Sequence, residues 1–315
     1  MDFHSIVFKE LIKQGYSIRG ENGEKRVWDI SDSKLWYLTP ELSKGFLNLK
    51  NYPPYKLKVI DTELKMLNEH AKVIAESVSS ETFNLIDLGC GDGEKAEALI
   101  KSLPVGIRVR YCPVDISQYF LDEASKRISL LNSNRIAEIK PYLSDFHDFE
   151  KVLDDLTSNE YNLNIILLLG ETISHYEVNE LLFKIETPMH EGDILLLGNG
   201  YRVGERFVDI DKYKHPLFSE WSSGIVKGIG FNTSEVSFDV RFENGRLEGY
   251  YTILSDKMIE NKGRRIFFKK GDEIIVGCQY KYYESEWNEF FSMYFKDVNT
   301  LKDEEKEYAL HLCRK

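Results

Sequence analysis

Cysteine is scarce in this chain of 315 residues: there are four, Cys90, Cys112, Cys278 and Cys313. No two form a Cys-x-x-Cys pair, which excludes a zinc ribbon or a dithiol redox motif. Scattered thiols of this kind point to a reducing compartment, the cytoplasm. The seven histidines show neither a His-x-His nor a His-Glu-x-x-His spacing, so no metal site is expected. Long apolar runs are absent. The longest, Ile165 to Leu169, suits a buried strand and falls far short of the roughly 18–20 residues that cross a bilayer. The first ten residues carry Asp2 and Glu10 and lack the basic stretch of a signal peptide. Basic charge is in deficit, with 41 Lys and Arg against 52 Asp and Glu, a formal charge of −11. A nucleic-acid partner would need a local basic groove to overcome that repulsion. The one basic stretch, Lys262 to Lys270, interleaves Ile266, Phe267 and Phe268 as a half-buried hairpin strand does. No membrane and no nucleic-acid partner is therefore expected.

What is present is an ordinary folded composition, 42% hydrophobic and 30% charged, without repeats or low-complexity tracts. The first fifty residues are mixed, with a turn signal at Gly20-Glu-Asn-Gly23 between short β-like runs. From Asp61 to Ser77, Leu64, Leu67, Ala71, Ile74 and Ala75 recur at three and four, the pattern of an amphipathic helix. Strands then alternate with helices. Strands are expected at Phe83–Leu88, Arg108–Val114, Ile136–Leu143, Asn164–Leu169 and Asp193–Gly198, with helices at Glu94–Ser102, Ser117–Leu131 and Glu177–Glu186. That rhythm implies an α/β fold with a mostly parallel sheet covered on both faces. The rhythm breaks between Tyr201 and Lys270. There Val236–Phe242, Arg246–Ser255 and Arg264–Lys269 alternate with period two around Asn244-Gly245 and Lys262-Gly263, as hairpins do. This reads as a smaller α+β insert. Ile274–Tyr282 reads as a return to the sheet, followed by a helix at Glu284–Phe291 and a closing hairpin of Tyr294–Asn299 with Tyr308–Cys313.

The most informative segment is Leu85-Ile-Asp-Leu-Gly-Cys-Gly-Asp-Gly-Glu-Lys95, at a strand-to-helix turn. Gly89, Gly91 and Gly93 let backbone approach a ligand, and the helix start behind them favours polar groups. The spacing is not the G-x-G-x-x-G of dinucleotide folds, because position 94 is Glu. Asp87 at the strand end suits a cationic amino-acid moiety better than a pyrophosphate.

The Asp-x-Gly-x-Gly-x-Gly turn resembles the first motif of class I S-adenosylmethionine-dependent methyltransferases. That resemblance implies a Rossmann-like sheet with an antiparallel last strand, supplied by the C-terminal hairpin. It implies S-adenosylmethionine as cofactor and S-adenosylhomocysteine as product. It places Asp115, in Pro113-Val-Asp-Ile-Ser117, on the ribose hydroxyls with Ile116 and Ser117 beside it, and Ser144-Asp145-Phe146 at the adenine. Taken singly, Asp115 reads as a helix cap, and Asp145 and Phe146 as loop and core. Their order along successive strands is what joins them.

A narrower resemblance runs from about Tyr52 to the C-terminus. Gly89-x-Gly-x-x-Glu-Lys95, Tyr111-x-Pro-Val-Asp-Ile-Ser117, Asp145-Phe146, Leu168-Leu-Gly-Glu-Thr-Ile173 and Gly192-Asp-x-Leu-Leu-Leu-Gly198 look like the histidine-specific methyltransferase family. Its best-known activity makes trimethylhistidine in the ergothioneine pathway, and fungal relatives methylate a prenylated tryptophan amine. The resemblance implies that Lys95 and Gly170 lie near the cofactor. Without it, Lys95 reads as a solvated helix lysine. For the acceptor it implies Tyr52 and Tyr55 (the family's Tyr-Tyr-Pro, loosely matched), Thr172, and the position of His175.

Departures from the family bear on the substrate. His175 replaces the Asn that holds the substrate amino group, and Gly277 and Gln279 replace the Glu and Ser that grip the imidazole. A ring left without partners in a buried site loses about 1–3 kcal/mol per group. The expected activity is thus N-methylation of a small amino-acid-like or amine molecule other than histidine. Histidine Nα-methylation proper is the alternative. Another is a methyltransferase fold that modifies a macromolecule or serves as a binding or regulatory subunit. His175, just after the fourth strand, is the candidate base or substrate anchor, although taken alone it reads as a surface or capping histidine. Asn199 and Tyr201, after the fifth strand, face the ligand end of such a sheet. The expected organisation is a methyltransferase core of residues 52–200 and 274–315, with residues 1–51 and 201–273 forming an accessory substrate-binding or lid region. The insert's Tyr213, Phe218, Trp221 and Phe231 read either as that lid or as a small domain's own core.

Overall fold

The structure is a computed structural model, which describes residues 2–20, 25–156, 160–204, 210–305 and 307–315. The chain divides into two compact units, Met1–Tyr52 with Gly204–Lys281 and Pro53–Val203 with Tyr282–Lys315.

The second unit holds the parallel sheet. Its strands are β1 (Thr82–Leu88), β2 (Arg108–Asp115), β3 (Ile136–Ile139), β4 (Tyr142–Leu143), β5 (Asn164–Leu168), β6 (Ile194–Gly200), β7 (Asp297–Lys302) and β8 (Tyr308–Arg314). They lie in the order β7-β8-β6-β5-β1-β2-β3, with β4 pairing β2. All neighbours are parallel except that β8 is antiparallel to both β6 and β7. The expected third strand is two pieces, because Lys140-Pro141 interrupts it and proline donates no ladder hydrogen bond.

Alternation along the strands sorts side chains into two cores. Leu85, Val109, Tyr111, Ile165, Leu167, Ile194 and Leu196 pack on helices α1 (Thr62–Glu76) and α2 (Glu94–Ser102) and on Ile128 of α3 (Gln118–Ser129). Ile86, Leu88, Cys112, Val114, Ile166, Leu168, Leu195 and Leu197 pack on α4 (Phe149–Leu156), α5 (Val178–Glu186) and α6 (Glu284–Tyr294). Helix α1 begins at Thr62 and is preceded by a π-helical turn, Lys56–Asp61.

The first unit is built around a five-stranded sheet of its own, Tyr16–Arg19, Lys25–Asp29, Glu273–Tyr280, Arg246–Ile253 and Val236–Glu243, in that order. Among the described residues its only parallel pair is Val27–Asp29 with Glu273–Ile275. Glu273–Tyr280 is therefore the central strand of this sheet, not part of the parallel one as its apolar run suggested. Residues 274–281 belong with the accessory segments. Helices Phe3–Gln14, Pro40–Lys50 and Pro216–Ile229, none of them expected from the pattern, accompany the sheet. Val7, Leu11, Trp28, Leu35, Ile225, Ile229 and Ile274 form its apolar core.

The basic stretch lies on the hairpin Lys257–Asn261/Arg264–Phe268, where Ile266 and Phe268 are buried and Arg264 and Arg265 exposed. Lys262 and Gly263 both have positive φ there, as a two-residue hairpin turn requires. The flanks of the turn expected at Gly20–Gly23 pair antiparallel, while residues 21–24 lie outside the described ones. All four cysteines are buried free thiols. Among the described residues no helix is long and apolar enough to cross a membrane, and no group of acidic, His and Cys side chains is arranged to hold a metal.

Candidate active site

The chain runs outward from β1 through β2 to β3, then returns to place β5 on the other side of β1. The crevice beyond the carboxyl ends of β1 and β5 is where open α/β sheets take ligands. Nearly all the candidate cofactor residues fall on this end of the core unit.

The glycine turn is shaped by its neighbours. Gly89, Gly91 and Gly93 all have positive φ, +71°, +51° and +74°. Gly89 N–H donates to the Val114 carbonyl at 2.8 Å, which docks the turn on the end of β2. A Cβ on Gly93 would lie 3.0 Å from the Ala124 backbone, and one on Gly89 3.2 Å from the Phe146 ring. Gly91 faces open space. The turn is thus held tight against α3 and Phe146 while one peptide stays approachable, the cradle a nucleoside cofactor needs.

Two buried acids flank the turn. Asp115 accepts from Ser117 N–H at 2.9 Å and from Gly91 N–H at 3.3 Å, so it ties the turn to the start of α3. Burial pushes its carboxyl up to about 6 against those hydrogen bonds. Asp87 accepts from the Tyr111 hydroxyl at 2.9 Å, and burial pushes it up to about 7. In the sequence Tyr111 opens the motif Tyr111-x-Pro-Val-Asp-Ile-Ser117, but its pairing with Asp87 was not foreseen. Ile116 follows Asp115 at the end of β2. Ser144 donates to the Asp145 carbonyl at 3.2 Å. Asp145 caps the 3-10 turn Phe146–Asp148 through His147 N–H at 3.0 Å and also meets the His147 ring at 2.7 Å. Phe146 is buried against the glycine turn and the Tyr176 ring.

Lys95 is no solvated lysine. Its ammonium pairs with Glu63, a fully buried carboxylate on α1 that sequence reasoning missed. Glu63 also accepts from Gly170 N–H at 2.9 Å and from the Tyr308 hydroxyl at 2.6 Å. The available signal was its spacing: Glu63 shares a helix face with Met66 and Leu67, both buried, whereas Leu64 is only half-buried.

Past Gly170 the chain enters the 3-10 turn Thr172–His175. Glu171 leads into it with φ +58°, a left-handed conformation worth roughly 1–3 kcal/mol of strain for a non-glycine residue and concentrated at functional sites. The buried Glu171 carboxylate accepts from Gly200 N–H at 3.1 Å. A Cβ on Gly198 would collide with Glu63, and one on Gly200 with Glu171. The two glycines of Gly198-Asn-Gly200 thus make room for two carboxylates. Burial and these acids raise the Tyr55 hydroxyl above its usual range. Thr172 donates to the Leu169 carbonyl at 2.7 Å, and His175 is half-buried at the end of the turn. Asn199 is fully buried, and its Oδ1 has no partner among the described residues. Tyr201 lies 3.4 Å from Nε2 of His311, whose imidazole burial holds neutral by lowering it to about 3.

Tyr52 and Gln279 fall in the accessory unit. Tyr52 stacks on His215 with centroids 4.2 Å apart, and Gln279 accepts from the Tyr213 hydroxyl at 3.3 Å. Position 277 is filled by its neighbours: a Cβ there would collide with the Trp36 indole, which donates to the Val276 carbonyl at 2.7 Å. Trp36 in turn meets Trp221 edge-on at 4.8 Å, and Phe231 lies in the unit's apolar core.

Strand order, a glycine turn at the switch point and an acid ending the second strand define a class I S-adenosylmethionine-dependent methyltransferase. The chain belongs to the histidine-specific, SAM-dependent methyltransferase family, whose model matches residues 43–207, just over half its length. No curated protein matches it in sequence. Among solved structures, a SAM-dependent methyltransferase from Clostridium acetobutylicum is 13% identical, with 86% of this chain and 98% of that one covered at a TM-score of 0.48. A protein from Pyrococcus horikoshii is 14% identical over 88% and 100% at 0.45. A sugar N-methyltransferase from a Streptoalloteichus species is 11% identical over 86% and 93% at 0.43.

The raised acids predict a pH dependence. Asp87 and Asp115 favour a cationic ligand only when ionised, and both lose charge as pH falls through about 7 and about 6. S-adenosylhomocysteine, which carries an ammonium group, is expected to bind more weakly at pH 5 than at pH 8, by up to about tenfold per pH unit for each group. The cofactor-free fold responds in the opposite sense. A carboxyl raised above its unfolded value adds stability below that value and loses it as pH rises through about 6 to 7. Calorimetry and melting across that range check both signs.

Proposed function

We propose that the chain transfers a methyl group from S-adenosylmethionine to the nitrogen of a small amine or amino-acid-like molecule other than histidine. Bound cofactor supplies a methyl already activated on sulfonium, so the chain's own task is to orient a neutral nitrogen in line and keep water out. Candidates for this are His175, as proton acceptor or anchor, with Thr172, Asn199 and Tyr201 from the core unit. The buried Glu171 carboxylate favours an amine that arrives as its ammonium, and gives up a proton before transfer, over a neutral alcohol.

The observation that carries the reading is position 277. The resemblance puts Gly277 in the place of the glutamate that grips the imidazole in histidine-methylating members, and here the Trp36 indole occupies the space a side chain there would need. Two positions on, the Gln279 oxygen is engaged by Tyr213. The four buried thiols and the charge of −11 fit a small-molecule enzyme of the cytoplasm better than one that acts on RNA.

The test is calorimetric titration of L-histidine into protein saturated with S-adenosylhomocysteine. The expected result is no heat of binding, with S-adenosylhomocysteine released from S-adenosylmethionine by another member of an amine and amino-acid panel. Tight histidine binding would establish the histidine methyltransferase instead.

A further inference from the structure

Burying an ion pair rarely adds stability over an apolar contact of the same volume, so a fully buried one calls for another account. Glu63 and Lys95 come close to such a pair, the carboxylate wholly inaccessible and the lysine side chain 19% exposed. We propose that Glu63 is a positioning residue for the cofactor: it acts through Lys95, setting where that ammonium stands beside the glycine turn. The inference rests on the methyltransferase reading above.

Three features support it. First, Glu63 is itself fixed from two sides. Gly170 N–H donates to its two oxygens at 2.9 and 3.1 Å, and the Tyr308 hydroxyl donates at 2.6 Å, so segments after β5 and in β8 orient one carboxylate. Second, the backbone is shaped around the pair. A Cβ on Gly170 would lie 2.5 Å from the Lys95 ammonium, and one on Gly198 would collide with Glu63. Side chains at those positions would displace one partner or the other. Third, the π-helical turn Lys56–Asp61 sets the phase in which α1 begins. In that phase Glu63, Met66 and Leu67 face the sheet while Lys65 and Glu69 face solvent. Such turns recur at functional sites. Lys95 sits on the first turn of α2, two residues past Gly93. Its ammonium is drawn back over the carboxyl end of β5 because Glu63 waits there.

S-adenosylhomocysteine binding tests this without requiring the acceptor. The ligand is titrated into wild type, Glu63→Gln, Lys95→Met and the double variant, well below each melting temperature. Glutamine keeps an acceptor for Gly170 and Tyr308 but not the charge that places Lys95. The expected result is about tenfold or greater loss of affinity in Glu63→Gln and no further loss from Glu63→Gln in the Lys95→Met background. A purely structural Glu63 would lower the melting temperature and leave affinity unchanged, which would overturn the proposal. Losses that multiply in the double variant would overturn it too, since the two residues would then act separately. Should Glu63→Gln misfold around its lone buried ammonium, the comparison of Lys95→Met with the double variant still decides. Wild type that fails to bind S-adenosylhomocysteine defeats the methyltransferase reading itself, a different failure from intact binding in Glu63→Gln.

Discussion

Replacing Asp115 with alanine is expected to abolish measurable binding of S-adenosylhomocysteine, a loss of at least about 100-fold. The carboxylate is both a candidate ribose anchor and the tie between the glycine turn and α3, since it accepts from Gly91 and Ser117 N–H. Truncation would remove the charged acceptor of the ribose hydroxyls, at roughly 1.5–3 kcal/mol per hydrogen bond, and about 2.7 kcal/mol already corresponds to 100-fold. Asp115→Asn, which keeps one acceptor oxygen, is expected to fall between. Calorimetric titration of both variants against wild type is the measurement. Unchanged affinity in Asp115→Ala would remove this residue from the cofactor site.

The second large effect is on stability. Gly277→Glu, which on the resemblance would put back the glutamate of histidine-methylating members, is expected to destabilise the protein by about 3 kcal/mol or more and not to confer histidine binding. Overpacking a filled site costs roughly 1–3 kcal/mol, and a carboxylate forced against an indole adds its own desolvation. A penalty of that size lowers the melting temperature by on the order of 10 °C in a unit of 130 residues. A variant that melts like wild type and binds histidine would show that Trp36 yields readily, and the substrate proposal would fall with it.

The parallel sheet was readable because its signals are local. Helix Glu94–Ser102 is found where expected: a left-handed glycine opens it, and Ala96, Leu99 and Ile100 mark one face. The hairpins at Asn244-Gly245 and Lys262-Gly263 were equally plain, each turn carrying two positive φ angles. Pro40–Lys50 and Phe149–Leu156 were missed although Thr39 and Pro40 begin the first as capping rules require, and Phe149, Val152, Leu153 and Leu156 stripe the second. Glu273–Tyr280 failed for a different reason. Its residues are buried almost throughout, like those of a central parallel strand, and its partner Lys25–Asp29 lies at the far end of the chain. No local pattern says which sheet such a strand joins.

The same split governed the candidate site. The turn glycines, Asp87 and Asp115 follow strand ends that the sequence announces. Glu63 and Tyr308 meet only in the fold, 245 residues apart, and Glu171 stands out by its burial and by a backbone angle that no composition reveals.

The pairing of Val27–Asp29 with Glu273–Ile275 has a consequence for biosynthesis. Lys25 and its ion-pair partner Glu273 are 248 residues apart, so at roughly 5–20 residues per second the ribosome needs tens of seconds to deliver the second after the first. During that interval Trp28 and the apolar face of helix Phe3–Gln14 await the strand that completes their sheet, and the parallel sheet likewise awaits β7 and β8. Final folding of both units therefore waits until the segments beyond about residue 270 have emerged. A nascent chain stalled before about residue 270 would present two unfinished sheet edges to chaperones.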